Sequence, residues 1–136
     1  MSARQASPGR WTLRSRKLNL SLECRQSGGI IVIHCAGRIV YREEAAALSR
    51  EVGKALRHTR GVVLDLAGVG RLDSAGLGGL VLVHNSAESK GKTVKLASAN
   101  AHVREMLKLT NLSSVLATYP SVAEAIKTDA ECVPVM

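Results

Sequence analysis

Apolar and polar residues alternate along Leu18-Asn19-Leu20-Ser21-Leu22, the period of a half-buried strand. Gln26-Ser27-Gly28-Gly29 interrupts that pattern as a hairpin turn, because glycine reaches positive φ without steric cost. Ile30-Ile31-Val32-Ile33 is continuous and β-branched, which predicts a central strand that Gly37 ends. From Glu43 to Arg57 the apolar residues Ala45, Leu48, Val52, Ala55 and Leu56 recur at three- and four-residue steps, one face of an amphipathic helix. Glu43 and Glu44 near its start and Arg57 and His58 near its end suit the helix dipole. Gly61 then precedes Val62-Val63-Leu64-Asp65-Leu66, which reads as a buried strand. A second helix is expected from about Ser74 to Glu88, stopped by Gly91.

Val94 and Leu96 flank Lys95 in the next strand, and Asn100 is placed to cap a third helix with the stripe Val103, Met106, Leu107 and Thr110. A short strand is expected near Ser114-Val115-Leu116. Ser121-Val122-Ala123-Glu124 has the spacing of a capping box and opens a last helix. The resulting order, β-β-α-β-α-β-α-β-α, predicts a single α/β domain: a mixed, mostly parallel sheet of about five strands with about four helices. The domain is expected to span 18–127, between a loose, basic N-terminal tail (1–17) and a C-terminal tail (128–136). At 136 residues the chain is long enough for one hydrophobic core.

Composition alters this picture little. With one Trp, two Tyr and no Phe, the core must be aliphatic, and the base-stacking platforms of many nucleic-acid modules are missing. The formal net charge is +8, but residues 1–17 hold Arg4, Arg10, Arg14, Arg16 and Lys17 with no acid; the remainder carries 14 basic against 11 acidic residues. A basic tail can attract a polyanion or an acidic partner, and its blander reading is a solvated extension. Cys24, Cys35 and Cys132 include no CxxC pair, and Cys24 and Cys35 sit in apolar strand-like segments where a free thiol behaves as a small hydrophobe. With no apolar run of membrane-spanning length and no signal-peptide pattern at the start, the expected location is the cytoplasm.

The segment with the most chemistry is Leu72-Asp73-Ser74-Ala75-Gly76-Leu77-Gly78. Either Asp73 or Ser74 can cap the second helix, which leaves Ser74 at the helix mouth beside unpaired first-turn N–H groups. Gly76 and Gly78 remove side chains there, so another surface could approach the backbone closely. On residue physics alone two readings stay open: a capped helix whose glycines make room for packing, and a functional loop.

This string, preceded by Val62-Val63-Leu64-Asp65-Leu66, resembles the signature of STAS domains, specifically bacterial anti-sigma factor antagonists. The resemblance covers roughly residues 18–127, including the Gly91 break and the Thr110-Asn111-Leu112 turn. It implies a partner switch. Ser74 is then the position phosphorylated by an anti-sigma factor that is itself a serine kinase with an ATP-binding fold, and a phosphatase resets it. The unphosphorylated protein binds that kinase and frees a sigma factor. The implied partner surface is Asp73, Ser74, Ala75, Gly76, Leu77 and Gly78, together with Arg38 and Val40 of the Gly37-Arg38-Ile39-Val40 loop, where family members commonly carry acidic residues. The alternative the resemblance allows is an unphosphorylated STAS interaction subunit of a scaffold or lipid-transporter complex. Neither reading needs a cofactor, a membrane or direct nucleic-acid contact, and a homodimer is compatible with both.

A phosphate on Ser74 adds roughly −1.5 to −2 charges. At a helix N-terminus that anion is tolerated by the fold, so modification should change the surface and leave the domain folded. Enzymatic readings are weaker. A nucleophile elbow needs Gly-x-Ser-x-Gly, and Leu72 stands at the first glycine position. His34, His58, His84 and His102 are scattered, and no two His or Cys have zinc-site spacing. Gly68-Val69-Gly70 lacks the third glycine of a dinucleotide fingerprint, and no P-loop is present.

Overall fold

The computed structural model describes residues 10–14, 20–40 and 42–131. The elements are β1 (Arg10–Arg14), β2 (Leu20–Ser27), β3 (Ile30–Ile39), α1 (Arg42–Leu56), β4 (Gly61–Leu72), α2 (Ser74–Ser89), β5 (Thr93–Ala97), α3 (Ala101–Leu109), a 3₁₀ turn (Leu112–Ser114), β6 (Thr118–Tyr119) and α4 (Val122–Glu131). The strands form one sheet in chain order, β1-β2-β3-β4-β5-β6. The first two pairings are antiparallel and the last three parallel.

That monotonic order explains where the helices lie. Right-handed crossovers between strands added in one direction deliver every connecting helix to the same face. Accordingly α1, α2 and α3 bury Leu48, Val52, Leu80, Val83, Val103 and Leu107 against Ile31, Ile33, Leu64, Leu66 and Leu96. Only α4, which follows the last strand, returns over the other face, where Ala125 packs on Ile30, Val32, Val63 and Ala97. This second face is more polar. His34 and Asp65, register partners on β3 and β4, form a 2.6 Å contact there, and the Lys95 ammonium lies 5.4 Å from the Tyr119 ring centre.

Several boundaries differ from those the sequence suggests, each for a tertiary reason. Arg10–Arg14 falls in the segment expected to be a loose tail but forms β1, whose backbone pairs with β2 from Arg10↔Arg25 to Arg14↔Ser21; this raises the strand count to six. Residues 1–9 lie outside the described residues, as do 132–136, whereas the helical backbone of α4 continues past Lys127 to Glu131. Gly37 does not end β3. It adopts φ +114° at a register shift, a bulge that lets the strand continue to Ile39. That continuation pairs with a correspondingly long β4, from Ala36↔Gly68 to Ile39↔Leu72, so Gly68-Val69-Gly70 is strand and not loop.

The strand expected at Ser114-Val115-Leu116 is a 3₁₀ turn at Leu112–Ser114. Asn111 enters it at φ +62°, the Val115 and Leu116 N–H groups donate to the Leu112 carbonyl, and Leu116 is drawn into the core. The sixth strand forms two residues later. Asn100 caps α3 as expected, accepting from the Val103 N–H at 2.8 Å, and its amide also donates to the Val69 carbonyl at 3.0 Å. That second bond serves the stretch of β4 beyond the reach of β5, whose register stops at Asp65↔Ala97.

Candidate functional site

The carboxyl ends of β3 and β4 position the site. Because Ile39 and Leu72 are register partners, the end of β3 lies beside the turn into α2, and the Asp73 N–H donates to the Ile39 carbonyl at 3.4 Å. A single residue, Asp73, separates β4 from α2. It sits in an extended conformation (φ −115°, ψ −168°), and its carboxylate accepts the Gly76 N–H at 3.0 Å, so Asp73 is the N-cap. Ser74 is thereby the first helical residue, and it is exposed.

Of the residues expected to form the partner surface, Ser74 and Gly78 are exposed and Asp73 and Ala75 half-buried. Gly76 and Leu77 are buried and belong to the interior. The reason at Gly76 is specific: a Cβ there would overlap the Ile39 carbonyl and come within 2.6 Å of Leu72 Cδ1. Its bareness thus serves the close approach of the β3 end to α2, not the approach of an outside surface. Gly79 is similar, since a Cβ would meet Ala45 Cβ of α1 at 2.9 Å; at Gly78 the corresponding space is open.

The structure also brings Arg38 and Val40 to this end of the sheet. Arg38 is exposed and is the register partner of Arg71, while Val40 is half-buried and its N–H donates to the buried Glu44 carboxylate at 3.0 Å. Two arginines that sequence reasoning missed complete the surroundings: Arg71, two residues before Asp73, and Arg42, which opens α1 beside Ala75. The signal for Arg71 was adjacency to the motif. Nothing in the sequence pointed to Arg42, because only the packing of α1 on α2 carries it there. Arg42 stands beside the start of α2, whereas Arg38 and Arg71, which precede the core residues Ile39 and Leu72 on their strands, face the other side of the sheet.

Among the described residues no histidine is hydrogen-bonded to Ser74. The described residues do contain a histidine–carboxylate pair, His34 Nδ1 to Asp65 Oδ2 at 2.6 Å, with Asp65 Oδ1 also accepting the Ala67 N–H at 3.0 Å. Asp65 precedes the end of β4 by seven residues, roughly 23 Å of strand, and its side chain faces the α4 side. Ser74 begins a helix on the opposite face, so the pair does not reach it. Among the described residues no group of three or more His, Cys, Asp or Glu could hold a metal ion, and no helix is long and apolar enough to cross a membrane.

Comparison with known proteins matches this geometry to a family. The STAS domain profile covers residues 21–125. A Thermotoga maritima protein named as a candidate anti-sigma factor antagonist is 35% identical over 66 residues, which are 48% of this chain; the chain spans 58% of that relative's length. An anti-sigma factor antagonist from Mycobacterium paratuberculosis, solved by crystallography, superposes with a TM-score of 0.72 at 22% identity, covering 85% of this chain and 97% of that one. SpoIIAA, an anti-sigma factor antagonist, superposes in its unphosphorylated form with a TM-score of 0.68 at 15% identity (83% and 99% covered). The phosphorylated form of the Bacillus protein gives 0.61 at 14% identity (79% and 97% covered). With β3 to β6, α1 to α3 and the Asp73–Gly78 segment inside the matched span, the chain belongs to the STAS domain family.

Proposed function

We propose that this chain is an anti-sigma factor antagonist that works as a partner switch through Ser74. The observation that carries the reading is the exposure of Ser74 as the first residue of α2, directly after an Asp73 cap. Relatives named as anti-sigma factor antagonists and the existence of SpoIIAA in two phosphorylation states support it. In its unmodified form the surface around Ser74 docks an anti-sigma factor that is also an ATP-using serine kinase. Phosphorylation places a dianion on that surface, where the helix N-terminus and the nearby Arg42 stabilise it. The fold survives, and the docked partner loses its contact area to a bulky dianion. A phosphatase reverses the change.

Intact mass of the protein isolated from its native cells, with Ser74→Ala as control, tests this. Phosphoryl mass on the wild type alone, together with a Ser74→Asp variant that melts cooperatively but no longer binds its partner, is the expected result. Loss of the cooperative melt in Ser74→Asp would sink the blocked-surface account.

The basic end of β3 supports a second reading, in which the domain is a constitutive interaction subunit of a scaffold or lipid-transporter complex. Arg38 stands near the end of β3, in a string that is commonly acidic in the family, so a partner of different charge would be selected. Unmodified Ser74 in growing and stressed cells alike, with the partner retained, would favour it.

A further inference from the structure

From the packing of α1 against α2 we infer a second docking feature beside Ser74: the groove between these helices receives an acidic amphipathic helix from a protein partner. The groove is open, about 890 Å³ in volume, and its floor is built from small residues at helical spacing, Ala46 and Ser49 of α1 with Ala75 and Gly78 of α2. Leu82, 65% exposed and among the few large apolar side chains left at the surface, forms one wall.

The glycines of α2 separate an internal need from an external one. Gly76 is bare because Ile39 and Leu72 press on it, and Gly79 because Ala45 does. Gly78 has nothing within 4 Å of where a Cβ would stand, so the fold itself does not require glycine there. A bare position that weakens the helix and faces an apolar groove is what close approach of another backbone demands. Small residues on two neighbouring helices form a trough into which a third can settle.

Charge selects the occupant. Among the described residues no carboxylate lines the groove, whereas Arg42 and Arg50, both exposed, flank it on α1. The neighbouring acids of α1 are committed internally, Glu44 to the Val40 N–H and Glu51 to Lys54 at 3.3 Å; Glu43 is exposed but is not among the lining residues. Eight residues separate the two arginines, about 12 Å along the helix axis. A docked helix meets that spacing with carboxylates two turns apart, seven or eight residues, beside a stripe of small and apolar side chains. An acyl lipid, with one anionic end, would engage one arginine and leave the other.

The test uses the full chain with a benzophenone amino acid in place of Leu82, irradiated in the native cells, and mass spectrometry of the cross-linked peptide. The expected product is one segment with apolar residues at helical spacing and acidic residues two turns apart. A synthetic peptide of that segment is then titrated by fluorescence anisotropy. Arg50→Glu and Gly78→Leu should each weaken it at least tenfold without lowering the melting temperature, and a Glu→Lys change in the peptide should restore binding to Arg50→Glu. Cross-links to a second copy of this chain, to lipid, to many unrelated segments or to a segment without paired acids overturn the inference, as does binding indifferent to Arg50→Glu. The switch reading is tested separately with Ser74→Asp: peptide binding that persists leaves the groove standing and removes the switch. Conversely, a partner released by Ser74→Asp but never cross-linked from Leu82 removes the groove and leaves the switch.

Discussion

Three glycines within four residues of α2 should respond oppositely to the same substitution. Replacing any of them with alanine adds a Cβ and improves helix propensity by roughly 1 kcal/mol. At Gly78 nothing opposes that gain, so Gly78→Ala should stabilise the protein by about 0.5–1 kcal/mol. At Gly79 the Cβ meets Ala45 Cβ at 2.9 Å, and α1 must move outward by a few tenths of an ångström; overpacking of about 1–2 kcal/mol then leaves the change near neutral or slightly destabilising. At Gly76 the obstacles are a backbone carbonyl, Ile39, and Leu72 Cδ1 at 2.6 Å. A carbonyl paired into a sheet end cannot swing aside as a side chain can, so Gly76→Ala should cost about 2–3 kcal/mol net. For a chain of this size 1 kcal/mol corresponds to roughly 4 °C in Tm. Thermal unfolding followed by circular dichroism should therefore show Gly76→Ala melting about 8–12 °C lower, Gly79→Ala within a few degrees of wild type and Gly78→Ala roughly 2–4 °C higher. The reasoning fails if Gly76→Ala melts like the wild type, or if Gly78→Ala melts lower, because either result means that the helix mouth does not pack as described.

Asp73→Ala removes the acceptor of the Gly76 N–H and should lower stability by about 1 kcal/mol in urea titrations, while Asp73→Asn restores most of it; equal midpoints for all three would show that the cap contributes nothing. Burial, with smaller effects from the Asp65 and Cys24 charges, pushes the Cys35 thiol well above its ordinary range, so it stays protonated in the folded protein where an unfolded thiol ionises. Its contribution to stability is therefore complete below about pH 9 and declines above it, by up to about 1.4 kcal/mol per pH unit. Urea midpoints measured from pH 8 to 10.5 should fall less steeply for Cys35→Ala than for wild type, and parallel profiles would refute the assignment. The Cys24 and Cys35 thiols are both buried, and aromatic disulfide reagents should label them only at the rate of unfolding; rapid labelling of the native protein at either would contradict the closed core.

Much of this protein could be read from local pattern. The helices at Arg42–Leu56, Ser74–Ser89 and Ala101–Leu109 follow from apolar spacing and from caps such as Asn100, whose short polar side chain satisfies a nearby N–H whatever the rest of the chain does. The exposure of Ser74 at the start of a helix follows from the same local chemistry. Tertiary structure decided what depends on residues far apart in sequence. Arg10–Arg14 is a strand only because β2 offers it an edge, and β3 outlasts Gly37 only because β4 runs alongside to Leu72. The same holds for the string Gly76-Leu77-Gly78-Gly79. Its glycines look alike in sequence, yet one is required by Ile39, one by Ala45, and one faces open space, because a glycine's purpose is set by which atoms approach it. Arg42 comes beside Ala75 through the packing of α1 on α2, a proximity that was invisible until the chain was folded.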